Sequence, residues 1–72
     1  MKVIATLKVK PESREWAIEH ALKNLVEETR KEEGCVSYIL HNDLKESNTF
    51  IFVEEWRSQA DLDIHMKSAH LI

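Results

Sequence analysis

The segment Thr49–Trp56 is apolar on both sides, and that narrows what the chain can become. Phe50, Phe52, Glu54 and Trp56 alternate to one face, and Ile51, Val53 and Glu55 to the other. Period-two alternation marks a strand. A strand with two apolar faces must be covered on both, which asks for two layers of cover. With 72 residues the chain can build one helical layer but not a second. A chain of this size hides only roughly 60% of the surface its unfolded form exposes. Other supports for small domains are scarce: there is one cysteine, hence no internal disulfide, and no CxxC or HExxH motif. A second copy of the chain is the economical cover for the remaining face, so a homodimer is expected.

The rest of the chain supplies partners for that strand. Lys2–Lys10 alternates, with Val3, Ala5, Leu7 and Val9 on one face, and reads as a strand rich in β-branched residues. Pro11 lacks an amide hydrogen, stops the strand and suits the first turn of a helix. Ser13 is the expected cap, with Glu12 and Glu15 near the positive end of the helix dipole. Ile18, Leu22, Leu25, Val26 and Thr29 recur at helical spacing, with Ala21 at the edge of the stripe and Trp16 well off its centre. Gly34 is expected to end this helix in a left-handed conformation. Cys35–His41 is a second strand, with Val36, Tyr38 and Leu40 on one face and Cys35, Ser37, Ile39 and His41 on the other. The polar stretch from Asn42 to Asn48 reads as a hairpin loop. Ser58 caps a second helix with Asp61 as its capping-box partner, followed by Leu62, His65, Met66 and Ala69.

The order is strand, helix, strand, strand, helix. It is an α+β arrangement of the ferredoxin-like, split βαβ kind, without its final strand. One Gly and one Pro leave nothing that reads as a linker, so residues 1–72 form a single domain. The net charge of −3 and the lack of a basic run argue against nucleic acid as a partner. The longest apolar run, Phe50–Val53, is far short of the roughly 20 residues of a membrane helix. A lone cysteine and an N-terminus without a signal-peptide core point to the cytoplasm.

Several side chains carry chemistry. His65 is placed on the sheet-facing side of the second helix, near the strand end that holds Glu54 and Trp56, where a neutral imidazole could take a phenol or quinol proton. The plainer reading is a histidine bonded to Asp61 one turn earlier. Glu54 points into an apolar layer, where a carboxylate is costly unless paired; it is a candidate base or an orienting partner for His65, or else a structural ion pair with Arg57 or Lys31. Tyr38, on the same face, could donate its phenol to a substrate oxygen or serve as core. Trp56, Phe52 and Phe50 could wall a planar ligand, with His70 as a further binding candidate. His65 and His70 stand five apart and do not form an i, i+4 metal pair, so no metal site is expected. Cys35 reads as a small buried residue rather than a nucleophile.

Particular segments resemble the antibiotic biosynthesis monooxygenase domain family. Glu33-Gly34-Cys35-Val36-Ser37-Tyr38 is similar to the family's segment of Glu, often Pro, Gly-Cys, two residues and Tyr at the entry to the second strand; the Pro is absent here. Thr29-Arg30 matches the end of the first helix, Glu54-Glu55-Trp56 the family's E-x-W, and Ala60, His65 and His70 the pattern that follows. The resemblance implies a dimeric α/β barrel in which two sheets pack together and each subunit keeps a pocket between sheet and helices. It implies monooxygenation of a quinol or phenolic aromatic molecule by dioxygen without metal, flavin or other cofactor, with His65, Glu54 and Tyr38 as the catalytic group. Other branches carry out isomerase-type chemistry on a small carbonyl compound, or degrade haem. The haem branch uses an Asn late in the first strand and a Trp on the second helix, where this chain has Leu7 and His65. A non-catalytic, ligand-binding or stress-linked dimer is the alternative.

Overall fold

A computed structural model describes residues 1–68. Three strands, β1 (Lys2–Lys8), β2 (Cys35–Asn42) and β3 (Thr49–Trp56), form one antiparallel sheet in the order β1-β3-β2. The doubly apolar strand is thus the central one. Between β1 and β2 the chain runs through a 3-10 turn (Pro11–Ser13), a short α-helix α1 (Arg14–Trp16), a π-helical stretch (Ala17–Leu22) and α2 (Lys23–Arg30). After β3 comes α3 (Gln59–Met66).

Register sets the two faces. On the inner face Val3, Glu54 and Tyr38 stand in one row and Ala5, Phe52 and Leu40 in the next. Against this face the helices bury Leu22, and together with Tyr38, Phe50, Phe52 and Trp56 it forms the core. On the outer face Ile4, Val53 and Ile39 form one row and Thr6, Ile51 and His41 another. No element among the described residues packs over them: Ile4 is 73% exposed and Ile39 47%. One layer of helices covers one face among the described residues.

Five local expectations are corrected. β1 stops at Lys8 rather than Lys10; Val9 leaves the ladder and donates its amide to Asn48. β2 runs through Asn42, whose side-chain amide then holds the loop by donating to Ser47 and Thr49 carbonyls. Ser13 makes no capping bond; Lys10 is the N-cap and Pro11 takes the first helical position, where its missing N–H costs nothing. The first helix is not a regular α-helix. In its π-helical part each turn takes more residues, so Ala17 and Leu22, five apart, are the buried pair while Ile18 turns outward. Finally, Val36 does not share Tyr38's face. The β2 register shifts between Cys35 and Ser37, a bulge that pairs Cys35 with Trp56 on the inner side and leaves Val36 65% exposed.

Gly34 is needed for a different reason from the one expected. Its φ is not positive. It is buried, and a Cβ there would collide with Cβ and Cγ of Asp61. The missing side chain lets the turn after α2 lie directly against α3, where the Gly34 carbonyl also accepts the Arg57 amide. Asp61 cannot retreat, since its amide binds Ser58 Oγ at 3.2 Å and its carboxylate takes Arg57 Nε at 2.8 Å. Gly34→Ala should therefore lower stability by about 1–3 kcal/mol through overpacking, read as a lower urea midpoint with an unchanged slope.

Candidate active site

Four elements bring the site together on the inner face. β3 contributes Glu54, Phe52 and Trp56; β2 contributes Tyr38; α3 contributes His65; the turn after α2 contributes Glu32. Trp56 is 1% exposed and His65 2%, and their rings stand 4.5 Å apart at 32°. Trp56 Nε1 donates to Glu54 Oε1 at 2.8 Å, so the 5%-exposed carboxylate is satisfied inside the core. Tyr38 packs against Phe52 at 5.2 Å and meets the His65 ring edge-on at 5.8 Å.

His65 Nδ1 lies 2.8 Å from Glu32 Oε2. This corrects the assignment of Glu54 as the direct orienting partner: Glu54 bonds Trp56, and Trp56 in turn supports the histidine ring. It also displaces the plainer alternatives. Asp61 is held by Arg57 and Ser58, Arg57 pairs with Asp61 and Glu33, and Lys31 pairs with Glu28. Glu32 is the functional candidate that the sequence reading missed. It sits one residue before the glutamate matched to the family segment, and the missing Pro hid the offset.

A cavity of about 480 Å³ opens beside this group. Tyr38, Glu54 and His65 line it, with Phe52, Val3, Ala5, Leu25, Leu62 and Met66 as its apolar walls and Gln59 and Asp63 near α3. Of the proposed aromatic wall only Phe52 reaches the cavity. Trp56 lies behind His65, and Phe50 packs farther along β3 beneath the Arg14 guanidinium, 5.9 Å from its ring centre. His70 lies outside the described residues. No lysine or arginine lines the cavity among the described residues. No three His, Cys, Asp or Glu side chains among them gather to hold a metal, and no helix among them is long and apolar enough to cross a membrane.

Burial raises the Tyr38 phenol well above its ordinary value, and the negative charge of Glu54 adds to the effect. Thr29 Oγ1 is fully buried without a hydrogen bond, and its hydroxyl near Tyr38 lowers the phenol's value, a smaller opposing effect. Burial, and then Glu32 and Glu54, likewise push the Cys35 thiol up, which suits a packing residue better than a nucleophile.

Three comparisons place the chain among known proteins. Residues 1–71 match the family model described as antibiotic biosynthesis monooxygenase. A Bacillus subtilis (strain 168) protein, YcnE, provisionally named a monooxygenase, is 41% identical over 92% of this chain and 68% of its own length. A Synechocystis protein, sll1783, is 38% identical over 94% of this chain, which spans only 46% of it. Among solved structures, the crystal structure of an antibiotic biosynthesis monooxygenase superposes with a TM-score of 0.89 at 42% identity, covering 96% of this chain and 72% of that one. PA3566 from Pseudomonas aeruginosa gives 0.84 at 39% identity, over 96% and 69%.

Tyr38 is the sole tyrosine, so the phenolate absorbance reports it alone. Its ionisation in the folded chain should lie above the unfolded value of about 10. The folded state then holds the proton that the unfolded state loses. The stabilising contribution is complete below about pH 10 and declines as pH rises beyond it. Alkaline spectrophotometric titration should show phenolate appearing only together with unfolding; a reversible titration near pH 10 in the folded chain would contradict the buried phenol.

Proposed function

Because the chain belongs to the antibiotic biosynthesis monooxygenase family, we propose that it is a monooxygenase that oxygenates a neutral quinol or phenolic aromatic molecule with dioxygen. The observation that carries this reading is the cavity bounded at once by an imidazole, a phenol and a carboxylate, with apolar walls. Its opening to Tyr38 and His65 supports an enzyme over a scaffold, whose aromatic residues would fill that space. The absence of Lys and Arg from the described lining favours an uncharged hydroxyl over a carboxylate or phosphate group.

His65 removes the hydroxyl proton, and the resulting phenolate or quinolate is electron-rich enough to reduce dioxygen itself. The balance closes without another reductant: the substrate gives up four electrons, one oxygen atom is retained on the ring and the other leaves as water. For a simple quinol the products are a hydroxyquinone and one water molecule. Tyr38, held protonated by its surroundings, donates to the developing oxyanion. Glu54 anchors Trp56 and shows its carboxylate to the cavity, where it accepts a second substrate hydroxyl. The apolar walls keep the reactive anion away from water.

The outer face supports a second element of the reading. The row Ile4, Val53 and Ile39, with Val36 exposed at the bulge, is the face onto which a second copy packs sheet to sheet. The protein therefore works as a homodimer.

Oxygen uptake with a panel of quinols tests the chemistry. His65→Ala should lower kcat by about 10²-fold or more, the usual scale of a lost general base. Tyr38→Phe should lower it less, with the fold retained. Unchanged rates in His65→Ala and Glu54→Ala would overturn the mechanism. Sedimentation at micromolar concentration tests the assembly: the chain should run as a dimer and Ile39→Lys should dissociate it, whereas a stable folded wild-type monomer would refute the homodimer.

A further inference from the structure

The geometry points to Glu32 as the positioning residue that fixes the tautomer of His65, an inference that rests on the reading of His65 as the base. A carboxylate offers only acceptors, so a 2.8 Å contact from Glu32 Oε2 to Nδ1 places the hydrogen on Nδ1. The neutral ring then carries its lone pair on Nε2, and that nitrogen is the one that accepts the substrate proton. The arrangement has the logic of a carboxylate–imidazole pair in which the acid orients the ring and steadies the imidazolium without taking the proton itself.

The backbone that carries the carboxylate is itself held by hydrogen bonds. The Glu32 amide donates to the Thr29 carbonyl at 3.0 Å, and its carbonyl accepts the Cys35 amide at 3.1 Å, so the residue is held at both ends of its peptide unit. Gly34, two positions on, admits α3 to contact distance and so brings His65 within reach of this turn. The ring cannot swing to another partner easily, because Trp56 lies against one face and Tyr38 meets it edge-on.

The measurement is a long-range proton–nitrogen correlation spectrum of the chain labelled with nitrogen-15 histidine, at a pH where the rings are neutral. The His65 signals are identified by their loss in His65→Gln. The wild-type chain should show a protonated Nδ1 and an unprotonated Nε2. Glu32→Ala should shift His65 toward the Nε2–H tautomer that free histidine favours in water, and should lower kcat with KM little changed. A wild-type His65 protonated on Nε2 overturns the assignment, and that spectrum decides even if Glu32→Ala does not fold. An unchanged tautomer in a folded Glu32→Ala chain overturns it equally. If Glu32→Ala loses the Nδ1–H signature but keeps full oxygen uptake, the tautomer assignment stands and the reading of His65 as the base fails.

Discussion

The indole of Trp56 is the contact on which the inner face depends. It ends β3 at 1% exposure, with Cys35 opposite it in register. Its N–H satisfies the Glu54 carboxylate two residues earlier, and its ring supports His65 on α3. A buried carboxylate without a donor would cost several kcal/mol, and a charge-assisted hydrogen bond returns roughly 1.5–3 of them. One side chain therefore satisfies the Glu54 carboxyl group at the base of the cavity and braces the helix beside it. Had the residue been Phe, the ring would still pack, but Glu54 would be left unsatisfied. Trp56 was expected to wall a ligand, yet it is outside the cavity lining and stacks on His65, which is part of it.

Much of the fold was legible because it is written in local periodicity. Thr49–Trp56 alternates without a break, and its observed bounds match. The Ser58 cap follows from a hydroxyl placed three residues before an acid, and it forms. What failed were places where tertiary packing overrides local preference. The bulge at Val36 reverses a pattern of alternation that looks sound in the sequence, and it sets Cys35 opposite Trp56. The π-helical stretch moves the buried position from Ile18 to Ala17, a change of one residue that no helical wheel drawn at 3.6 residues per turn reveals. Gly34 is a glycine by collision rather than by dihedral angle, and the collision partner lies 27 residues away on α3.

The candidate site divides along the same line. Glu54, Tyr38 and His65, which line one cavity, stand out locally in the sequence: an acid in an apolar row, a tyrosine after a family-like segment, a histidine on the inner side of a helix. Their bonding was not legible. The partner of His65 is 33 residues away in sequence and reaches it only through the turn that Gly34 allows. Sequence proximity favoured Asp61, one helical turn before His65, but Asp61 is occupied by Arg57 and by its own cap at Ser58. The signal for Glu32 was weak though present: a pair of acids directly before a glycine, where a matching segment has one.

The two faces of β3 also place a cavity and an open apolar face on one strand. Phe52 and Glu54 point to the cavity, while Ile51 and Val53 point to the open face, so the cavity and the apolar face lie back to back across one backbone. A sheet in this position is supported only from the helical side within its own chain. Covering Ile4, Val53 and Ile39 with a second sheet would restrain β3 from behind, and the row Val3, Glu54 and Tyr38 would be held by that restraint. In the proposed dimer, pairing of two copies would thus act on the geometry of the site from behind, while the carboxylate, phenol and imidazole described above all come from one chain.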